Sequence, residues 1–225
     1  MKRHESREYS DRIRANNPAT SESMARRKPV HGVGVNDADY NVYPTRINGK
    51  RPACCPAYQS WVAMLNRVAS AKYHKRWPTY SSVSICEDWL RFSSFREWWA
   101  EHQVDGWELD KDIISPNARI YSPCSCIYIP GWLNSFTLGS DAARGKYPIG
   151  VSLNKRSGLY QSECCHPFGK KECLGYFPSP ESAHSAWIAR KTEIANELKA
   201  KIDAIDPRLH AGVLMIINGR SHEIS

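Results

Sequence analysis

The sequence lacks several features that would place it in a common class. No apolar run approaches the about 18 residues needed to span a bilayer, so no membrane helix is predicted. The first residues, MKRHESREYSDR, contain no apolar core and are not typical of a secretory signal. We therefore expect a reducing cytoplasm, where cysteines are thiols or metal ligands rather than disulfides. The eight cysteines are 54, 55, 86, 124, 126, 164, 165 and 173.

Acidic residues are outnumbered by basic ones. The chain has 31 Lys and Arg against 23 Asp and Glu, a formal charge of +8. This excess favours an anionic partner, of which nucleic acid is the common one, because Lys and Arg release the counterions condensed on phosphates. The alternative is a soluble protein that happens to be basic. With 41% hydrophobic residues and eight tryptophans among 225 residues, the chain can build one large folded domain or two small ones.

Residues 1–30 contain few large apolar residues and mixed charges. Such a composition buries too little surface to offset chain entropy, so we predict a flexible basic arm. Arg26, Arg27 and Lys28 are candidates for phosphate contact, and a solvated tail is the alternative.

Helical periodicity begins after this arm. Pro56 suits a first helical turn, and apolar residues recur from Tyr58 to Val68 at three- and four-residue steps. A second helix is predicted from about Asp88, with an aromatic stripe along it, and a short strand is predicted over 82–86. Segment 57–104 is therefore expected to be a helical scaffold rather than a site.

Residues 107–136 predict a β-hairpin followed by a short helix. The pattern alternates like a strand through Ile113 and turns over 115–117. A second strand ends over 126–129, and a helix that includes Trp132 and Asn134 follows. Polar residues occupy positions where a plain core would have apolar ones.

Residues 146–177 predict three short strands with turns over 155–158 and 167–170. Ser179 suits an N-cap, and a helix over 181–202 has one apolar face. The predicted fold class is α+β: a helical scaffold with a hairpin–helix module, then a three-stranded antiparallel sheet packed on one helix. Segment 203–225 is expected to pack on one of these domains.

The order of motifs over about 31–136 resembles phage HNH-type endonucleases of the ββα-metal class, and we predict an HNH-like nuclease module over 31–138. The central motif has the order Asp110-Lys111-Asp112, Asn117, Tyr121-Ser122-Pro123, Cys126 and Asn134. Three segments before it fit the same phage family: HGVGVNDADY (31–40), CPAYQSWVAMLNR (55–67) and PTYSSVSICEDWLRFSSF (78–95). The resemblance implies a divalent cation, Mg or Mn, held by Asp110 and Asn134. We expect Asp112 to be a further ligand, because it points to the same side of the predicted strand as Asp110. The resemblance also implies that Asn117 steadies the loop between the strands.

The chain departs from this family at the position of the catalytic base. Lys111 stands where the usual histidine would take the proton from water. A solvated lysine is protonated at neutral pH and is a poor base, although it can bind phosphate or stabilise a transition state. The implied catalytic residues are Asp110, Lys111, Asp112 and Asn117, and cleavage stays an open question.

Residues 145–202 resemble the plant ethylene-response-factor (APETALA-type) DNA-binding domain. The shared pattern is Gly150-Val151, Tyr160-Gln161, Leu174-Gly175-Tyr176-Phe177 and the helix opening Ser179–Ala183. The resemblance implies that the sheet enters the major groove of double-stranded DNA. The implied DNA contacts are Arg144, Lys146, Lys155, Arg156, Tyr160, Gln161, Lys170 and Lys171.

Cys164, Cys165, His166 and Cys173 lie close together in this segment, but their spacing suits no common zinc finger, so a structural zinc is not favoured.

Two functions follow as hypotheses. The first is a phage DNA endonuclease of homing type that cuts or nicks DNA with a divalent metal in the host cytoplasm. The second is a catalytically inactive nuclease fold that binds DNA in phage regulation or against a host system. A protein–protein adaptor without nucleic acid is the least favoured, and the sequence indicates no membrane or protein partner.

Overall fold

The computed structural model describes residues 5–46, 49, 52–116, 118–139 and 146–220. In this part of the chain the fold is mixed α+β, as predicted. The helices are α1 (Glu5–Asn16), α2 (Ser21–Ala25), α3 (Pro56–Ala69), α4 (Ala71–Arg76), α5 (Phe92–His102), α6 (Gly131–Thr137), α7 (Pro180–Glu197), α8 (Lys199–Asp203) and α9 (Leu209–Gly219). The strands are β1 (Ser84–Ile85), β2 (Trp107–Asp110), β3 (Ile120–Tyr121), β4 (Ile127–Pro130), β5 (Val151–Leu153), β6 (Tyr160–Cys165) and β7 (Lys171–Phe177).

The chain packs as two compact units. Unit 1 consists of residues 1–111 and 117–128, and unit 2 consists of residues 112–116 and 129–225. The division by packing therefore places residues 129–139 in unit 2 rather than in the nuclease-like segment. The domain limits expected from the sequence, 31–138 and 145–202, stay a prediction.

Unit 1 is built on the aromatic faces of α3 and α5. Trp61, Phe92 and Phe95 are fully buried, and the Trp61 indole donates a 2.7 Å hydrogen bond to the carbonyl oxygen of Trp89. This bond satisfies the one polar atom of a large buried ring. Helix α3 begins at Pro56 as predicted, whereas α5 begins at Phe92 because a 3₁₀ turn over Glu87–Leu90 precedes it.

The amino-terminal segment differs from the flexible arm expected from its composition. Helix α1 buries Ser10 and Ile13 in unit 1. The Arg27 guanidinium donates hydrogen bonds to the carbonyl oxygens of Asn36, Ala38 and Tyr40. The segment packs on unit 1 with few apolar residues, because a polar side chain such as Arg27 finds hydrogen-bond partners on the backbone.

The segment predicted as a hairpin and a helix contains three short strands followed by a helix. Strand β4 pairs with β2, and α6 begins directly after β4. Strand β3 instead pairs in parallel with β1. Strand β2 ends at Asp110, and residues 111–114 bend. The expectation that Asp110 and Asp112 share one side of a strand therefore does not hold, because strand alternation applies only within the strand.

Unit 2 contains the predicted three-stranded antiparallel sheet, in the order β5-β6-β7, with α7 packed on it. Helix α7 starts as predicted, because the Ser179 hydroxyl accepts a hydrogen bond from the Ser182 backbone N–H. Gly150 has a φ of +79°, and a Cβ there would lie 2.1 Å from the Trp187 ring. Glycine at this position therefore lets the start of the sheet approach α7 closely.

The segments before and after the sheet complete unit 2. A Cβ on Gly212 of α9 would lie 1.7 Å from the carbonyl oxygen of Ile113, which is itself fully buried. The Arg220 guanidinium donates to the carbonyl oxygen of Thr137, at the end of α6. The carboxy-terminal segment thus packs on residues 112–116 and on α6. None of the helices in the described ranges combines the length and apolarity needed to cross a bilayer.

Candidate nucleic-acid interface

The sheet of unit 2 has two chemically different faces. Ser162 and Cys164 of β6 are 0% and 1% exposed, on the side where α7 packs. Because successive side chains of a strand alternate, Gln161, Glu163 and Cys165 belong to the opposite face, which we call the outer face.

The strand register completes the outer face. Gln161 pairs with Ser152 of β5 and with Tyr176 of β7. Glu163 pairs with Cys173, and Cys165 pairs with Lys171. Tyr176 is 51% exposed, so the middle of the outer face offers a polar amide beside an aromatic ring. These groups suit contact with base edges in a groove.

One end of the sheet presents Lys155 and Arg156 on the β5–β6 turn. Asn154 fixes this turn, because its side-chain oxygen accepts from the backbone N–H groups of Arg156 (3.0 Å) and Ser157 (3.3 Å). Gly158 closes the turn with a φ of +71°. Both cationic side chains are exposed at the tip.

The other end presents Lys170 on the β6–β7 turn. His166 Nδ1 accepts from the backbone N–H of Phe168 at 3.1 Å. The Phe168 ring lies 5.1 Å from the Trp132 ring, and the Lys201 ammonium lies 4.0 Å from the Phe168 ring centroid. These contacts anchor the turn on α6 and α8, and Lys170 stays exposed.

The two turns lie at opposite ends of β6, which has six residues. At about 3.3 Å per residue the strand is about 20 Å long, whereas the major groove of B-DNA is about 12 Å wide. Cations at both ends can therefore reach phosphates on both walls of the groove while the middle faces the bases. Within the described residues, Lys155, Arg156 and Lys170 have no carboxylate within ion-pair distance.

Lys171 is held differently from the other predicted cations. Its ammonium lies 2.6 Å from the Glu163 carboxylate on the outer face. This hydrogen bond raises the pKa of Lys171 above its ordinary value. The pair neutralises most of the charge at this place, so Lys171 is less available to an anionic ligand than its sequence position indicates.

Tyr160 and Gln161 lie on different faces, although the resemblance implies DNA contact for both. Tyr160 faces the helix side, where its ring meets the Tyr147 ring at 5.2 Å. The aromatic residue of the outer face is Tyr176. Sequence reasoning missed it because its pairing with Gln161 depends on a register shift between Ser162 and Glu163.

The two remaining predicted cations precede the sheet. Lys146 is exposed, and its ammonium lies 5.1 Å from the Tyr147 ring centroid. Arg144 lies outside the described residues.

The nuclease-like residues Asp110 and Lys111 belong to unit 1. Asp110 is half-buried at the end of β2. Lys111 is 7% exposed, and its ammonium lies 5.8 Å from the ring centroids of both Tyr80 and Tyr121. Aromatic faces attract the charged form of an amine. The two tyrosine rings therefore form a cation–π environment for the Lys111 side chain.

The other implied ligands belong to unit 2. Asp112 is exposed and follows the end of β2, and Asn134 is half-buried on α6. Convergence of Asp110 and Asn134 on one cation stays a prediction, and Asn117 lies outside the described residues. Two carboxylates and an amide oxygen are hard donors, so the set fits Mg²⁺ or Mn²⁺ by its chemistry.

The cysteines are unpaired, and all eight lie in the described part of the chain. Cys54, Cys55, Cys126 and Cys164 are buried. Burial raises the pKa of Cys126 to about 12 and that of Cys54 to about 11, so both are neutral thiols at physiological pH. Over the described ranges, no group of three or more His, Cys, Asp or Glu side chains is arranged to hold a metal ion.

Comparisons of this chain with protein-family models, with curated proteins and with solved structures gave no match. The nuclease-like and ethylene-response-like resemblances therefore stay expectations from sequence, and functional inference depends on the geometry above.

Proposed function

We propose that this chain binds double-stranded DNA through the outer face of the unit 2 sheet. The observation that carries the proposal is the arrangement of charge on that face. Exposed cations lie at both ends, on the two turns, and Gln161 and Tyr176 lie side by side between them. The opposite face is covered by α7 and is not available.

In this arrangement the residues at the ends of the sheet and those between them make different contributions to binding. Lys155, Arg156 and Lys170 contribute affinity through phosphates, which carry no sequence information. Gln161 can bond an adenine edge through both atoms of its amide, and Tyr176 can contact a base or sugar. Glu163 beside Lys171 keeps the centre of the face nearly neutral, which favours specific contact over indiscriminate attraction.

The test compares the variant K155Q/R156Q/K170Q with the wild type by fluorescence anisotropy on a random-sequence duplex. The matched control is R7Q/R12Q/R14Q, which removes the same charge from α1 of unit 1. The control should bind like the wild type, whereas the turn variant should lose on the order of tenfold or more in affinity at 50 mM salt. Equal losses in the two variants would show that the sheet is not the contact face.

A second function, metal-dependent cleavage, is supported by the pairing of β2 with β4 and by α6 directly after β4, since a strand pair followed by a helix is expected from the resemblance to ββα-metal nucleases. Asp110, Asp112 and Asn134 are the residues expected from the sequence as ligands of Mg²⁺ or Mn²⁺. Such a cation, when bound, stabilises the negative charge that develops on a phosphate under attack. The Lys111 ammonium, which lies 5.8 Å from the ring centroids of Tyr80 and Tyr121, would supply positive charge to this site.

The cleavage proposal is tested by incubating supercoiled plasmid with the wild type, D110A and K111H, each with Mg²⁺ or Mn²⁺. If the module cuts, D110A should abolish nicking while duplex affinity stays within about twofold of the wild type, because affinity resides in unit 2. Nicking by K111H alone would identify the missing base as the defect. Absence of nicking by the wild type and by K111H would leave DNA binding without cleavage as the function.

A further inference from the structure

The charge of this protein is concentrated in one stretch of chain. Between Tyr40 and Cys86 lie seven of the 31 Lys and Arg residues and none of the 23 Asp and Glu residues. This stretch therefore carries a formal charge of +7, and the rest of the chain is close to neutral. It belongs to unit 1, not to the unit that contains the sheet.

Helix α4 sorts the residues of this stretch by chemistry. At 3.6 residues per turn, Lys72, Lys75 and Arg76 fall within an arc of about 100°. Tyr73 and His74 fall on the other side. The Tyr73 ring packs edge-on against Tyr80 at 5.3 Å, and His74 Nε2 lies 2.9 Å from the carbonyl oxygen of Arg67. One side of α4 is anchored in unit 1, and the other side carries three exposed cations.

The cations of α4 differ from three of the exposed arginines of unit 1. Arg14, Arg26 and Arg91 each lie within ion-pair distance of a carboxylate. Over the described part of the chain, no carboxylate lies within that distance of Lys72, Lys75 or Arg76. Three like charges at helical spacings of three and four residues repel one another, so their mutual interaction does not stabilise the helix.

An aromatic ring and a further cation extend this surface. Trp77, at the end of α4, is 40% exposed, and the Arg76 guanidinium lies 5.6 Å from its ring centroid. Arg119 is exposed, and it donates a 2.7 Å hydrogen bond to the Ser82 hydroxyl on the 3₁₀ turn that follows Trp77. A cationic strip beside an exposed tryptophan matches the pattern of surfaces that track a sugar–phosphate backbone and stack a base.

We propose that Lys72, Lys75, Arg76 and Trp77 form a second nucleic-acid-binding surface, on unit 1, that is independent of the sheet. Its ligand is the phosphate backbone, with Trp77 available to stack on an unpaired base. A structural explanation for this group of cations is that basic residues in the last turn of α4 stabilise the carboxy-terminal end of the helix. That role would change stability without changing the salt dependence of binding.

The experiment measures affinity against salt concentration for a 20-nucleotide single strand and for a 20-base-pair duplex. The full-length variants are K72Q/K75Q/R76Q, the sheet variant K155Q/R156Q/K170Q, their combination, and the control R7Q/R12Q/R14Q. The α4 variant should lower the slope of log affinity against log salt by about 2 to 3 on the duplex, since each phosphate contact contributes about 0.9. The combined variant should lose more than either parent.

A separate substitution tests the aromatic contribution. W77A should lower the affinity for the single strand more than the affinity for the duplex, because only unpaired bases can stack on the ring. K75Q alone should lower the slope by about one if the triple variant does not fold. Thermal unfolding of each variant separates a loss of binding from a loss of structure.

The outcomes distinguish this proposal from the proposed function. If the α4 variant and the control have the same salt slope as the wild type, the second surface does not exist, whatever the sheet variant does. If the slope of log affinity against log salt falls in the α4 variant but not in the sheet variant, the surface on unit 1 is supported and the sheet proposal fails. Binding of the wild type to vesicles containing phosphatidylserine, lost in the α4 variant while nucleic-acid binding persists, would assign the surface to a membrane and overturn the proposal.

Discussion

At the scale of single residues, Arg27 was a predicted candidate for phosphate contact, but its side chain instead stabilises the fold. Its guanidinium donates to three backbone carbonyl oxygens, those of Asn36, Ala38 and Tyr40. Few residues have enough donors in a fixed plane for three acceptors, and lysine lacks that geometry. The position therefore requires arginine for structure and leaves it little freedom to bind a ligand.

We expect Arg27→Lys to lower the free energy of unfolding by about 2 kcal/mol, because the lysine ammonium cannot reach all three carbonyl oxygens. Lys28→Ala, at an exposed neighbouring position, should change it by less than about 0.5 kcal/mol. Urea denaturation followed by tryptophan fluorescence measures both. Unchanged stability in Arg27→Lys together with weaker DNA binding would restore the phosphate-contact interpretation.

Gly150 is the second residue whose identity the structure explains. Gly150→Ala should lower the free energy of unfolding by about 2–4 kcal/mol, from strain at positive φ and from overlap with the Trp187 ring. Gly158 also has positive φ, but a Cβ there meets no atom within 4 Å. Gly158→Ala should therefore cost only about 1–2 kcal/mol, the strain alone. Equal losses at the two positions, measured by urea denaturation, would show that contact with Trp187 does not matter.

At the scale of elements, α7 carries a buried cation that works against the stability of unit 2. The Lys191 ammonium lies 3.7 Å from the Phe136 ring centroid, and burial lowers the pKa of Lys191 to about 8. An unfolded lysine has a pKa of about 10.4 and binds more protons than the folded one between these values. The contribution of Lys191 to the free energy of unfolding therefore rises as the pH increases from about 8 to 10, and it is constant below that range.

Lys191→Met should raise the free energy of unfolding of unit 2 by about 1–3 kcal/mol at pH 7, because the desolvated charge is removed. The advantage over the wild type should shrink as the pH rises from 8 to 10. Lys199→Met, at an exposed position on α8, is the control and should show no such trend. Chemical denaturation at pH 7, 8, 9 and 10 gives the comparison, and a constant difference across this range would contradict the assignment.

Elements differ in how far the sequence determined them. Helix α3, the Ser179 cap and the three strands of unit 2 follow from local signals, namely Pro56 at a first turn, a capping hydroxyl, and turn residues between alternating segments. The faces of the sheet do not follow, because the register shift near Ser162 decides which aromatic lies beside Gln161. The end of β2 at Asp110 depends on tertiary packing, so local alternation extended that strand too far.

At the scale of the whole molecule, unit 2 draws on two distant parts of the chain. Residues 112–116 and 129–139 belong to it, although they precede the sheet in sequence. Ile113 lies against Gly212, and Phe136 lies against Lys191. A polypeptide starting at Lys146 would lack both segments and leave the packed sides of α7 and α9 uncovered.

We therefore expect a chain with a specific protease site inserted between Gly139 and Lys146 to stay associated after cleavage. The amino-terminal fragment supplies residues 112–116 and α6 to unit 2, so the two fragments should co-elute in size-exclusion chromatography without denaturant. Fragment 146–225 expressed alone should unfold at a lower temperature than unit 2 in the nicked protein. Separation of the fragments into two stable species would support the boundary expected from the sequence and contradict this prediction.

The contact of Ile113 with Gly212 also has a consequence for biosynthesis. A ribosome releases the chain from its amino-terminal end, and domains generally fold as they emerge. All of unit 1 has left the exit tunnel once residue 128 has emerged, whereas the packing partner of Ile113 in α9 is synthesised only after the sheet and α7. A message truncated before α9 would therefore yield a product with a finished amino-terminal unit and an open carboxy-terminal one, a natural substrate for cellular proteases.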